Sequence, residues 1–399
     1  MAREQLLVGL EIGTSKICAV VGEGRPDGSI RILGVGQTPS RGVRKGEIVD
    51  FPTATQCVQD ALAEAEEKSD VEIQSVWAAV TGSHLQSFNS RGATVLPDDR
   101  EEITHEDLRD VEVNAKEVHI PESNSFLHTI IQKYYVDGQE GVVSPVEMLG
   151  NRLEGDFHII HGVTTRIQNT IRCIKEARVE VEDIVFNGLA SAEVVLDQNH
   201  RNLGALVLDI GGGVTDYLVY ADGSIRATGV LAVGGDHVTN DISMGLRIPI
   251  TRAEKLKIEE GNALLGTAIS GESITLKNDT GFSGREIERE MLNTIIHARM
   301  RELLEYVRRQ VESRVRLEML GGGVIITGGC SELKGLRALA EEIFELPVQV
   351  TRAHDVSGPT SAFENPEYST AIGLVKYACA AQQASPESWV ARIFPWLRR

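Results

Sequence analysis

The sequence predicts an α/β fold built twice, two similar cores facing one another with a small βαββ domain inserted into the first, and three observations carry that prediction. The pentapeptide DGSIR occurs at residues 27–31 and again at 222–226. Its flanks repeat with it: LLVGLEIGTSKICAVVGEGRP precedes the first copy and ALVLDIGGGVTDYLVYA the second, each an apolar run, an acid, a glycine loop and another apolar run. Between the copies, from residue 83 to about 162, the texture becomes more acidic, with a helix and strand-like runs of its own, before strand and helix alternation returns. Repeated units signify duplicated domains, and the alternation signifies a parallel α/β unit.

Each element then has its own reason. Both repeated blocks read as strand, glycine turn, strand, hairpin, strand, because Asp-Gly closes tight turns by accepting positive φ at both positions. Val58, Leu62 and Ala65 recur at helical spacing after the first block, and VWAAVTG follows as a strand. In the insert, THEDLRDVEVNAKEV reads as a helix with Thr104 as N-cap, Asp107 reaching back, and Leu108, Val111, Ala115 and Val118 on one face. HTIIQKYYV and RLEGDFHIIHGV supply its strands. The second half starts at Leu203, passes through helical and looped sequence, and enters a long helix over residues 285–314. A strand, GVIITGG, precedes a helix, SELKGLRALAEEIF, which Ser331 would cap and whose apolar face is Leu336, Leu339, Ala340 and Ile343.

Composition narrows the function classes. At 399 residues, with a formal net charge of −18, the chain lacks the basic stripe of a nucleic-acid binder. Five cysteines, at positions 18, 57, 173, 330 and 379, form no CxxC spacing, so neither a disulfide framework nor a zinc site is expected, and the compartment expected is reducing cytosol. No apolar run reaches the roughly 18 residues that span a bilayer, and the acid at Glu11 comes too early for a signal peptide.

The glycine loops carry the chemistry. Glycine between two strands leaves backbone N–H groups free to point into a concavity, which is an anion nest. The first loop offers Gly13, the hydroxyls of Thr14 and Ser15 and the charge of Lys16; the second offers Gly211, Gly212, Gly213 and Thr215. Face to face they would grip a polyphosphate from both sides, with the preceding acids, Glu11 and Asp209, holding Mg²⁺ through water. A third glycine site, at Gly328 and Gly329, ends a strand and suits an adenosine or α-phosphate.

The order of two phosphate loops and a glycine adenosine motif resembles the actin, Hsp70 and sugar-kinase superfamily. Within it, VGLEIGTSKI, PSRGVRKGEIVD, YYVDGQEGVVSPVEMLGNRLEGDFHIIHG, GLASAEVVL, LVLDIGGGVTDYLVY, VGGDHVTNDI, AEKLKIEEGNA, VIITGG and STAIGLVKYA are similar, in collinear order, to the FtsA family of bacterial cell-division proteins. The resemblance implies an actin-like fold of four subdomains around an ATP cleft: residues 1–82 with 163–200 and about 359–380; the insert, 83–162; residues 201–230 with 303–358; and residues 231–302. It implies an adenosine side at Gly234, Gly235, Glu254, Lys257, Gly328 and Gly329, although Thr251 and Glu254 also read as a capping box and Lys257 as a solvated helix lysine. Val214 stands where many relatives carry a threonine. Gly188 falls where Hsp70-like enzymes hold a water-activating glutamate, which implies slow or negligible hydrolysis, since glycine can take no proton.

The last twelve residues, 388–399, follow a polar tether at 381–387. Trp389, Val390, Ile393, Phe394, Trp396 and Leu397 share a face at 100° per residue, with Arg392, Arg398 and Arg399 opposite. A basic, Trp-bearing amphipathic helix on an acidic protein reads as an interfacial anchor for anionic lipid. The family role implied is to hold FtsZ filaments, through the FtsZ C-terminal peptide, at the cytoplasmic face of the cell membrane, to recruit later divisome proteins and to polymerise with itself; Arg299 is a candidate FtsZ contact. The alternatives are a PilM-like pilus-assembly protein and a superfamily enzyme such as a sugar kinase or polyphosphatase.

Overall fold

The computed structural model describes residues 5–97, 100, 102–269, 271–276, 284–359 and 364–383. Its two large sheets repeat one plan. In the first, Gln5–Ile12 pairs antiparallel with Lys16–Gly24 and parallel with Ser75–Val80. In the second, Ala205–Ile210 pairs antiparallel with Thr215–Ala221 and parallel with Val324–Thr327. Ile30–Pro39 and Glu180–Phe186 extend the first sheet; Ser224–Leu231 and Val348–Val350 flank the second. The central strands of both, buried on two faces, are near-continuous apolar runs, as parallel neighbours require. Each acid that interrupts these runs lies at the strand's carboxyl end, where open α/β sheets place ligands.

The repeated pentapeptide turns differently in its two copies. Asp222 and Gly223 both have positive φ, 53° and 70°, as a two-residue hairpin demands. In the first copy only Gly28 does; its N–H donates to the Arg25 carbonyl (3.0 Å), and Pro26 stands at the second turn position. Proline fixes φ near −65°, so the first hairpin is built around a turn one step earlier, with glycine after it.

The insert is a four-stranded sheet in the order Gln86–Val95, Arg152–Val163, Asn124–Val136, Gln139–Val142, with the helix His105–Ala115 on one face. The short strand Gln139–Val142 makes it βαβββ rather than βαββ. Thr104 caps the helix, and Asp107 accepts from the Thr104 N–H at 2.7 Å; Val111 and Ala115 are buried, whereas Val118 lies beyond the last turn and is 42% exposed. Although spliced into the first half, the insert leans on the second. Ser87 Oγ donates to the Thr228 carbonyl (2.8 Å), His158 Nε2 meets Thr228 Oγ1 (2.8 Å) and Asn89 donates to the Arg226 carbonyl (3.1 Å), all along Ser224–Leu231.

Two predicted helices are shorter than expected. The long helix is Arg289–Glu312, because residues 285–288 pair as a strand with Ser273–Leu276. After Val324–Thr327 a 3₁₀ turn, Gly329–Glu332, comes first and the α-helix Leu336–Phe344 starts behind Gly335, whose φ is +77°. Ser331 therefore caps no α-helix, and its Oγ is buried without a hydrogen-bond partner. The helix still buries Leu336, Leu339, Ala340 and Ile343.

Candidate nucleotide site between the repeated loops

The two glycine loops close in the same way. The Gly13 N–H donates to the Lys16 carbonyl at 3.0 Å, and the Gly211 N–H to the Val214 carbonyl at 2.9 Å, so each loop is a one-turn reversal between antiparallel strands. They meet tip to tip. A Cβ on Gly212 would lie 2.0 Å from Ser15 Oγ, and one on Gly213 2.4 Å from Thr14 Oγ1, distances that only a missing side chain permits.

Beside this contact lies a cavity of about 390 Å³. It gathers Glu11, Gly13, Thr14, Ser15 and Lys16 from the first half and Asp209, Gly211, Gly212, Gly213, Gly235, Glu254, Lys257, Gly328 and Gly329 from the second. Two residues expected there do not line it. Thr215 is buried, and its hydroxyl donates to the Val233 carbonyl at 2.8 Å. Gly234 sits behind the wall as the N-cap of the helix Gly235–Leu246, whose first N–H groups are spent on the loop itself: Gly235 donates to the Gly211 carbonyl (2.9 Å) and Asp236 to that of Gly212 (2.8 Å). Gly234 and Gly235 thus brace the second loop.

Burial sets the electrostatics. Around the loops stand the carboxyl groups of Glu11, Asp209, Asp216 and Asp236 and the ammonium group of Lys16. Desolvation pushes Glu11 up to about 7, against the opposing pull of Lys16 3.9 Å away. Asp209 is raised by burial, with the hydrogen bond from Thr370 Oγ1 (2.9 Å) opposing, and Asp216 is raised further by burial and by Asp209, its partner across the strand pair. Glu11 Oε2 is buried with no hydrogen-bond partner. Crowded, desolvated carboxylates of this kind fit a divalent cation. Among the described residues no group of three His, Cys, Asp or Glu is close enough to hold a metal directly; Glu11 and Asp209 would fit a Mg²⁺ that keeps its waters.

At the other end Lys257 is 8% exposed, which corrects its reading as a solvated lysine. Its ammonium group pairs with Glu254 (2.7 Å) and donates to Thr239 Oγ1 (2.9 Å) and to the Gly235 carbonyl (3.2 Å). Pro249 is the N-cap of the helix Ile250–Glu260, so Thr251 lies inside the first turn and the Thr251–Glu254 capping box does not form.

Gly188, expected to supply no base, is buried. It faces the Phe186 ring, where a Cβ would meet Cε1 at 2.6 Å, and does not line the cavity; Asn187 does. The Asn187 side chain is an amide, which can orient a water but cannot take its proton at neutral pH. Other lining residues escaped the sequence reading. Asp216 was accessible to it, since a two-strand hairpin closed at Gly211 puts residues 209 and 216 opposite one another. Thr81, at the end of Ser75–Val80, donates to Asp216 Oδ1 at 2.5 Å. Glu367 and Thr370 arrive from the far end of the chain, and no local signal marks them.

Arg299 is engaged within the second half, 2.6 Å from Asp241 and 2.5 Å from Glu302. The tail residues Trp389, Val390, Arg392, Ile393, Phe394, Trp396, Leu397, Arg398 and Arg399 lie outside the described residues. Among the described residues no helix is long and apolar enough to cross a membrane.

Comparison with known proteins follows the same lines. Residues 206–373 match the family model of the cell division protein FtsA, and residues 82–161 that of the SHS2 domain inserted in FtsA. The chain is 38% identical to the cell division protein FtsA of Pseudomonas aeruginosa, over 95% of this chain and 90% of the relative. It is 36% identical to that of Escherichia coli, over 99% and 98%. Among solved structures it resembles a PilM–PilN type IV pilus biogenesis complex (TM-score 0.67, 16% identity, 94% of this chain and 98% of that one). It also resembles MreB5 of Spiroplasma citri bound to ADP (TM-score 0.57, 13% identity, 96% and 99%). Likenesses this distant in sequence show the fold alone: an actin-like α/β fold carrying an inserted small domain.

Proposed function

The chain belongs to the FtsA family of cell-division proteins, and from that premise we propose that it is an ATP-binding, actin-like adaptor tethered to the cytoplasmic face of the cell membrane at the division site. There it holds FtsZ filaments by the FtsZ C-terminal peptide, recruits later divisome proteins and polymerises with itself. The observation that carries the ATP part is the meeting of two duplicated glycine loops beside a cavity rich in buried carboxylates. The loops would cradle the phosphates with backbone N–H groups and the hydroxyls of Thr14 and Ser15, and Glu11 and Asp209 would hold the waters of a Mg²⁺ that supplies charge neutralisation to the phosphates. Glu254 and Lys257 border the adenosine end. Asn187 supplies no base, so the nucleotide serves as a structural ligand, with turnover far below the roughly 10 per second of a median enzyme.

The membrane part rests on the sequence of residues 388–399, whose apolar face and arginines suit anionic headgroups. Two measurements test the reading. Retention of the purified chain on immobilised FtsZ C-terminal peptide is expected, and failure to bind it at micromolar concentration removes the adaptor role. Deleting residues 388–399 is expected to leave ATP binding intact and to release the protein from anionic vesicles; unchanged co-sedimentation of the truncated chain removes the tether.

A further inference from the structure

The cavity's charges do not balance. Seven acids line it against two lysines, and both lysines are engaged: Lys16 with Glu11 at 3.9 Å and with the Glu367 carbonyl, Lys257 with Glu254 at 2.7 Å. A polyphosphate carrying one Mg²⁺ would still bring net negative charge into a cavity where carboxyl groups outnumber lysines. A further cation at the phosphate end would offset that charge.

The hairpin that follows the first sheet's third strand places one at the rim. Val43 pairs with Ile48 and Arg44 with Glu47, leaving Lys45 and Gly46 as a two-residue tip with positive φ at both positions, 52° and 75°. The tip is pinned. The Gly46 N–H donates to Thr14 Oγ1 at 3.0 Å, Gly46 itself lines the cavity, and a Cβ there would lie 2.6 Å from Thr81 Cγ2. It therefore stands at the loop end of the cavity, where Thr14 and the Thr81–Asp216 pair are, and away from the Glu254–Lys257 end. Lys45 is exposed, and among the described residues no acid lies within ion-pair distance of it. Its charge reaches the opposite half. His237, in the first turn of Gly235–Leu246, is held below the ordinary imidazole range by burial first and by Lys45 next.

We propose that Lys45 sets the preference of this site for a nucleoside triphosphate over a diphosphate: its ammonium group closes over the outermost phosphate and ties the hairpin tip of the first half to a ligand seated on the second loop. The inference rests on the ATP reading of the cavity. Because the tip's backbone is fixed by Thr14 and Thr81, only the lysine side chain has to be ordered, which keeps the entropic cost of the contact small.

Titration calorimetry on the full chain tests it, with ATP and with ADP in the presence of Mg²⁺. Lys45→Asn is the first variant, because asparagine tolerates the left-handed conformation found there, and Lys45→Gly, for which that conformation is unstrained, is the second. Each is expected to weaken ATP about tenfold or more, the worth of a charge-assisted hydrogen bond, and ADP less than about twofold; Lys45→Arg is expected to stay within about threefold of wild type on both. A wild type that prefers ATP, together with variants that keep that preference or lose ATP and ADP equally, overturns the role of Lys45 and leaves the ATP reading standing. A wild type that binds neither nucleotide overturns both.

Discussion

The first glycine loop and the second have the same backbone and opposite electrostatics. Gly13 and Gly211 make equivalent turn-closing hydrogen bonds, and by that equivalence Lys16 corresponds to Val214 and Cys18 to Asp216. Duplication preserved what the turn needs, an acid two residues before a glycine at the end of a buried strand. What diverged are the side chains around the turn: Thr14 and Ser15 face Gly212 and Gly213 in the equivalence, Lys16 stands for Val214, and Cys18 for Asp216. The first loop brings an ammonium group and the second a further carboxylate, so the pair is asymmetric toward a ligand although symmetric in fold. A shared main-chain scaffold with divergent charges is how one ancestral phosphate loop can become two that grip different parts of a single molecule.

The loop contact itself is the most sensitive place to break this comparison. Gly212→Val puts a branched side chain where Ser15 Oγ stands 2.0 Å from the Cβ position, and so pries the tips apart; nucleotide affinity is expected to fall at least about a hundredfold with the melting temperature little changed. Undiminished affinity in a folded variant ends the two-loop account. Next comes the asymmetry. Lys16→Met removes the cation of the first loop and is expected to cost about tenfold in ATP affinity by calorimetry, whereas Val214→Met, the equivalent site, costs less than about threefold. Equal losses at the two positions would mean that the charge difference between the loops is without consequence.

A smaller effect is one of pH. Glu11 is raised in the folded state to about 7 from an ordinary 4.5, so it contributes stability that is present below pH 4.5 and is lost as pH rises through 7. Glu11→Gln has no such group. In nucleotide-free protein the stability of this variant relative to wild type is expected to increase by about 3 kcal/mol between pH 4.5 and 7.5, measured by denaturant unfolding at each pH. The comparison with wild type is needed because buried His128 and His158, held near 3, act in the opposite direction, withdrawing stability as pH falls below 6.5. A constant difference across that range would mean that Glu11 is not desolvated.

Much of this is legible in the sequence. The repeat, the order of loops and the insert are written in local patterns, and strand ends follow from where an acid interrupts an apolar run. Asn187 carries no mark of a lining residue in the sequence, because spacing does not show which side chain at a strand-to-helix junction faces the cavity; in the structure the Phe186 ring covers Gly188. Thr215 and Gly234 look like ligand contacts since hydroxyls and glycines usually are near phosphate, yet both are consumed by holding the second loop. Pro26 had a visible consequence that the matching letters of DGSIR concealed. Thr370 and Glu367 enter the cavity from more than 150 residues beyond Asp209, and contacts at such separation leave no trace in one sequence.

The seam between the insert and the strand Ser224–Leu231 has a consequence in time. The insert's last strand ends at Val163 and the strand it leans on begins at Ser224, 61 residues later, so at a synthesis rate of about 5–20 residues per second the completed insert waits roughly 3–12 s before that strand exists. Throughout that interval the insert must stay folded on its own helix-covered sheet, with the polar groups of Ser87, Asn89 and His158 hydrated by water. The hydroxyl, amide and imidazole groups among these contacts can be hydrated while the nascent chain waits, whereas Leu127 and Ile160, which join the main apolar core, stay uncovered until the rest of that core is made.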